Sequence, residues 1–169
     1  MEVIVNMSTK DFSSVQEKRI AECLGWKVVT GSGARNFHKG DVYSNEWLGE
    51  CKTHMTLTEK IQFRKDHWDK ICKEAIGCHK TPVLFTDNGS QDLKHTWCLI
   101  PKARAYDDLD MYSLFSKSIR TNIQFNHFDM LEDMKSNRIS GYIIHDFGSE
   151  ISDVVITTFT IFQGYFGRL

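Results

Sequence analysis

Residues 39–52, Lys39-Gly40-Asp41-Val42-Tyr43-Ser44-Asn45-Glu46-Trp47-Leu48-Gly49-Glu50-Cys51-Lys52, decide how the chain is read. Two short runs, Asp41 to Ser44 and Glu46 to Lys52, meet at the turn dipeptide Ser44-Asn45, which predicts a β-hairpin. Side chains alternate along a strand, so Glu50 and Lys52 point one way and Cys51 points into the core. Asp41, at the start of the first strand, reaches the same edge as Glu50 across the hairpin. Two carboxylates and an ammonium are therefore expected around one point.

Upstream, Ser13 to Gly25 places Val15, Ile20, Cys23 and Leu24 on one side of a helix, with Ser13 or Ser14 as N-cap and Gly25 as the stop. Trp26 to Thr30 is β-branched and reads as a strand. The loop Gly31 to Gly40 that follows carries three glycines with Arg35, His38 and Lys39, a composition suited to a phosphate backbone as well as to a plain β-connection. Downstream, Ile61, Trp68, Ile71, Cys72 and Ala75 recur at helical spacing between Leu57 and Ala75. Lys60, Arg64, Lys65, Lys70 and Lys73 form the polar faces of this expected basic helix, either as a wet surface or as a DNA contact.

The runs Thr81–Thr86 and His95–Ile100 flank the turn signal Asp87-Asn88-Gly89-Ser90 and read as paired strands. The order α-β-β-β-α-β-β predicts an α/β fold, a mixed sheet flanked by helices. Residues 1–104 are expected to form this core and residues 105–169 a C-terminal extension. Within the extension a helix is expected around Asp108 to Ser118, and strands over Gly141–Phe147 and Ser152–Phe162. The aromatic end, Phe159 to Phe166, is too apolar to stay exposed and is expected to pack on the core or on a partner subunit.

The chain has 169 residues, 41% hydrophobic and 25% charged, enough for one compact domain and too rich in core formers for disorder. No apolar run approaches the roughly 20 residues that cross a bilayer, and MEVIVNMSTKDF lacks the order of a secretory signal, so a cytoplasmic protein without membrane contact is expected. Five cysteines, odd in number and mostly inside apolar runs, suit reduced thiols; the Cys72–Cys98 region lacks the tight spacing of a zinc module. Net charge is −1, but residues 1–104 carry 16 basic against 13 acidic side chains and residues 105–169 carry 5 against 9. A polyanion would meet a local basic face, not a global field.

Carboxylates converging as Asp41 and Glu50 do offer hard oxygen ligands to Mg²⁺, which keeps several waters and bridges to phosphate. Such a cation lowers the pKa of water and offsets charge on a scissile phosphate, while an ammonium such as Lys52 orients the nucleophile. The acid-x-Lys tripeptide alone is cheap. Asp92-Leu93-Lys94 and Asp133-Met134-Lys135 match it too, but only Glu50-Cys51-Lys52 lies on an expected strand with an acid upstream and basic segments on either side.

That ordered set, from Gln16-Glu17 through Gly25-Trp26-Lys27-Val28-Val29, Gly31-Ser32-Gly33-Ala34, Lys39-Gly40-Asp41-Val42 and Glu50-Cys51-Lys52-Thr53 to Pro82-Val83-Leu84, resembles the PD-(D/E)XK nuclease superfamily. Within it the likeness is greatest to Holliday junction resolvases of the archaeal type and their phage relatives. It spans about residues 13–100, with Gly40 in place of the proline, and no counterpart for the tail. The resemblance implies a restriction-endonuclease-like core and a Mg²⁺-dependent endonuclease, with Mn²⁺ as a substitute, acting as a homodimer on branched DNA. It implies Glu17, Asp41, Glu50 and Lys52 as catalytic residues, and Asp41, Glu50 and the Cys51 carbonyl as metal ligands. Ser32 matches a serine near the scissile phosphate. Arg35, His38 and Lys39, with Lys60, Arg64 and Lys65 beyond, are the expected DNA contacts. Alternatives on the same core are a restriction, repair or single-strand nuclease, or an inactive DNA-binding or phage-assembly protein.

Overall fold

The computed structural model describes residues 8–30, 39–105, 111–115 and 121–167. Its framework is a mixed eight-stranded sheet, mostly antiparallel, with helices on both faces. The first helix, α1, runs Thr9–Leu24. Its N-cap is Ser8, not Ser13 or Ser14: the Ser8 hydroxyl accepts from the Asp11 N–H at 3.2 Å, and the Asp11 carboxylate accepts the Ser8 N–H at 3.3 Å. This reciprocal capping box competes successfully with the later serines because the helix pattern extends one turn further upstream. Gly25 ends the helix as expected, at φ +69°, a left-handed conformation that glycine adopts without strain.

Strands β1 (Lys27–Val28), β2 (Val42–Tyr43) and β3 (Trp47–Lys52) follow as an antiparallel set, with the expected hairpin turn between β2 and β3. The stretch expected as one helix from Leu57 to Ala75 splits into β4 (Lys60–Phe63) and α2 (Lys65–Gly77). Ile61 and Phe63 are buried while Lys60 is exposed, a period of two that selects a strand; helical spacing starts only with Trp68. Strands β5 (Thr81–Thr86) and β6 (Trp97–Pro101) pair antiparallel, and β5 runs parallel to β3.

Beyond Pro101 the chain returns to the same sheet. The helix expected around Asp108–Ser118 is a strand over its described part, β7 (Met111–Phe115), held by parallel pairing to β9 (Gly141–Ile144). Strand β8 (Ile123–Asn126) pairs with β4 in a separate ribbon and leads into α3 (His127–Asn137). Strand β10 (Val154–Thr158) lies between β6 and β9, so the sheet order is β1-β2-β3-β5-β6-β10-β9-β7. The expected strand Ser152–Phe162 stops at Thr158, whose hydroxyl caps the helix α4 (Phe159–Phe166) by accepting from the Ile161 N–H at 3.3 Å.

Two buried layers result. On one face Ile20 and Leu24 of α1 and Phe159 and Phe162 of α4 pack on Val42, Trp47, Cys51, Val83, Phe85 and Val155. On the other, Trp68, Ile71 and Ala75 of α2 cover Leu48, Leu84 and Leu99, joined by Phe63, Met134 and Ile156. The alternation within β3 thus sends Leu48 toward α2 and Cys51 toward α1. Among the described residues no helix is long and apolar enough to cross a membrane.

Candidate active site

Gly40 turns the chain into β2 at φ +78°, and Asp41 is the first residue after it. The Asp41 N–H donates to the Gly49 carbonyl and its own carbonyl accepts the Val29 N–H, each at 2.8 Å. With its backbone fixed on both sides, the Asp41 carboxylate swings to the end of β3 and accepts the Cys51 N–H at 2.7 Å.

Glu50 is 3% exposed. One of its oxygens, Oε1, takes both Lys52 Nζ at 2.8 Å and Lys70 Nζ of α2 at 3.3 Å. The other, Oε2, is buried and has no hydrogen-bond partner among the described residues. A buried carboxylate oxygen without a donor is costly, and an ion pair on its neighbour relieves only part of that cost.

The carboxyls feel one another. Burial, then repulsion from Glu50, raises Asp41 to about 6 against the donated Cys51 N–H and the Lys52 ammonium. Burial, then repulsion from Asp41 and Glu50, raises Glu17 to about 7. Glu17, Asp41, Glu50 and Lys52 therefore stand within electrostatic reach of one another, as the sequence reading expects. The Cys51 thiol points into the aromatic layer and burial drives it well above the ordinary thiol range, so only its backbone faces the site.

Other expected residues are placed differently. Ser32, Arg35 and His38 lie outside the described residues. Lys39 is exposed next to the site. Lys60 sits on β4, Arg64 holds Asp66 in a two-bond pair at 2.9 and 2.7 Å, and Lys65 pairs with Asp69 and with the Ser149 hydroxyl at 2.7 Å. These three do not form one helical face, because the segment that carries them changes from strand to helix at Arg64.

The structure adds residues that sequence reasoning missed. Buried Gln16 donates to the Lys52 carbonyl at 2.8 Å and to Asp87 Oδ2 at 3.1 Å, which ties α1 to the end of β3. Asp87 also accepts from the Thr53 hydroxyl at 2.6 Å and the Gly89 N–H at 2.8 Å. From α2, Lys70 reaches Glu50, and His67 one turn earlier is held below the ordinary imidazole value by burial and by the Lys52 ammonium. The signal for this pair is i, i+3 spacing on a helix that begins at Lys65.

Two converging carboxylates, one with a buried oxygen that meets no donor among the described residues, suit a hard divalent cation. Among the described residues no three His, Cys, Asp or Glu side chains form a ready ligand cage. A ligand set of two carboxylates and a backbone carbonyl would not need one. A hollow of about 590 Å³ lined by Trp26, Tyr43, Trp47 and Tyr165 lies at the other end of β3 and includes none of these groups. No family model, curated protein or solved structure matches this chain.

Proposed function

We propose that this chain is a divalent-metal-dependent DNA endonuclease with a restriction-endonuclease-like core, and that its substrate is branched DNA of the four-way-junction type. The observation that carries the reading is the gathering of Asp41, Glu50 and Lys52 at the adjoining ends of β2 and β3, with Glu17 close enough to be shifted by both acids. The choice of a branched substrate and of a homodimer rests on the resemblance to junction resolvases.

Asp41 and Glu50, with the Cys51 carbonyl, would hold Mg²⁺ or Mn²⁺. When bound, the cation supplies Lewis acidity: it offsets charge on the phosphate and makes water a better nucleophile near neutral pH. The chain's own groups do the rest. Lys52, held by Glu50 at 2.8 Å, directs its ammonium toward the phosphate or the attacking water. Glu17, close enough to feel both acids, would support a second cation or the water network around the first. Gln16 and Asp87 keep the end of β3 in place from behind.

The test is incubation of the purified protein with synthetic four-way junctions, flaps, linear duplexes and single strands, with and without Mg²⁺. Paired, symmetric nicks confined to the junction and dependent on Mg²⁺ are expected. Cutting of linear or single-stranded DNA would move the reading to a restriction, repair or single-strand nuclease. No cutting and no carboxylate-dependent metal binding would leave a DNA-binding protein on the same fold.

A further inference from the structure

Glu50 Oε1 takes two ammonium groups, Lys52 of the same strand at 2.8 Å and Lys70 of α2 at 3.3 Å. Lys70 also lies 3.9 Å from Glu74, and its side chain is 56% exposed. A cation that is guided by two carboxylates and still reaches solvent is free to exchange one anionic partner for another.

Lys73, exposed, follows Lys70 at i+3 on α2, a spacing of roughly 5–6 Å between Cβ atoms that lets long side chains serve successive phosphates. Facing it is Lys39, two residues before Asp41. Lys39 and Lys73 line a hollow of about 280 Å³ closed by Glu74, Gly77 and Cys78. Arg64 and Lys65 sit at the start of α2, away from this hollow, and pair with Asp66 and Asp69.

We propose that Lys70 is a second phosphate-binding ammonium of the site, and that the DNA backbone runs from it along α2 between Lys73 and Lys39. The proposal rests on the nuclease reading and specifies the path of its substrate. Binding of a divalent cation to Glu50 would compete with Lys70 for the carboxylate and release the ammonium to the strand, so phosphate contact and metal binding reinforce each other.

The test measures DNA affinity against salt concentration for full-length protein carrying Asp41→Asn, which is expected to bind without cutting, on a synthetic four-way junction. Adding Lys70→Ala is expected to flatten the slope of log K against log salt by about 0.9, one phosphate contact, and Lys73→Ala and Lys39→Ala by similar amounts. Lys70→Arg keeps the charge and should keep the slope, which separates lost contact from damaged folding. Lys102→Ala, exposed after β6 at the end of that strand away from Lys52, should leave it unchanged. An unchanged slope for Lys70→Ala on a parent that binds the junction overturns the α2 path alone. A parent that does not bind DNA overturns the nuclease reading, and the path with it.

Discussion

Asp41 and Cys51 are joined by one hydrogen bond, Cys51 N–H to Asp41 Oδ2 at 2.7 Å, which fastens the start of β2 to the end of β3. The hairpin must close tightly for that bond to form, and Gly49 permits it. A Cβ at Gly49 would stand 2.8 Å from both Phe85 Cε2 and Val42 Cγ2. Gly49→Ala is expected to cost about 1–3 kcal/mol by overpacking, read from urea unfolding, and to slow cutting by spreading β2 from β3. Wild-type stability in this variant would show that the hairpin tolerates a wider spacing.

The raised carboxyls make a pH prediction with a definite sign. Asp41 at about 6 and Glu17 at about 7 bind protons in the folded protein that the unfolded chain, with values of 3.8 and 4.5, releases earlier. The folded state therefore holds more protons between about pH 4 and 7, and these two groups make stability fall as pH rises through that window. Asp69, lowered by Lys65 and Ser149 against its burial, acts in the opposite direction, so a difference measurement is needed. In EDTA, Asp41→Asn should gain melting temperature relative to wild type from pH 4.5 to 7.5. A gap that does not widen would mean that Asp41 ionises as an ordinary surface acid.

Divalent cation should reverse that penalty. At a Mg²⁺ concentration 100-fold above Kd, a ligand that binds only the folded protein stabilises it by roughly 2.7 kcal/mol. A Mg²⁺-dependent rise in melting temperature is expected for wild type and Lys102→Ala, and its loss in Glu50→Gln and Asp41→Asn. An equal rise in all four would place the ion elsewhere.

The C-terminal residues are expected to be integral to stability. Phe162 is fully buried, with its ring 5.2 Å from Trp47, 5.5 Å from Phe85 and 6.0 Å from Trp26. Phe162→Ala should cost about 3–5 kcal/mol in urea unfolding, the usual penalty for a buried ring lost to a cavity. A loss below about 1 kcal/mol would indicate that α4 contributes little to the core.

The β2–β3 hairpin, the antiparallel β5–β6 pair and the approach of Asp41, Glu50 and Lys52 were legible because each rests on local pattern: a turn signal, strand alternation, a glycine before an acid. What was not legible depends on partners far away in sequence. Lys60–Phe63 is a strand because β8, some sixty residues later, pairs with it. Met111–Phe115 is a strand because β9 lies beside it. Lys70 joins the site through the packing of α2 across β3, which its helical spacing from His67 does not by itself reveal, and Gln16 only because α1 crosses behind Lys52.

Single-turnover cleavage of a four-way junction by Glu50→Gln tests the central claim most directly. The substitution keeps the shape of a buried side chain and removes the charge that pairs Lys52 and would hold the cation. A rate at least about 10²–10³-fold below wild type, with junction binding retained, is the expected result. Cutting at the wild-type rate would contradict the assignment of this site as the seat of catalysis.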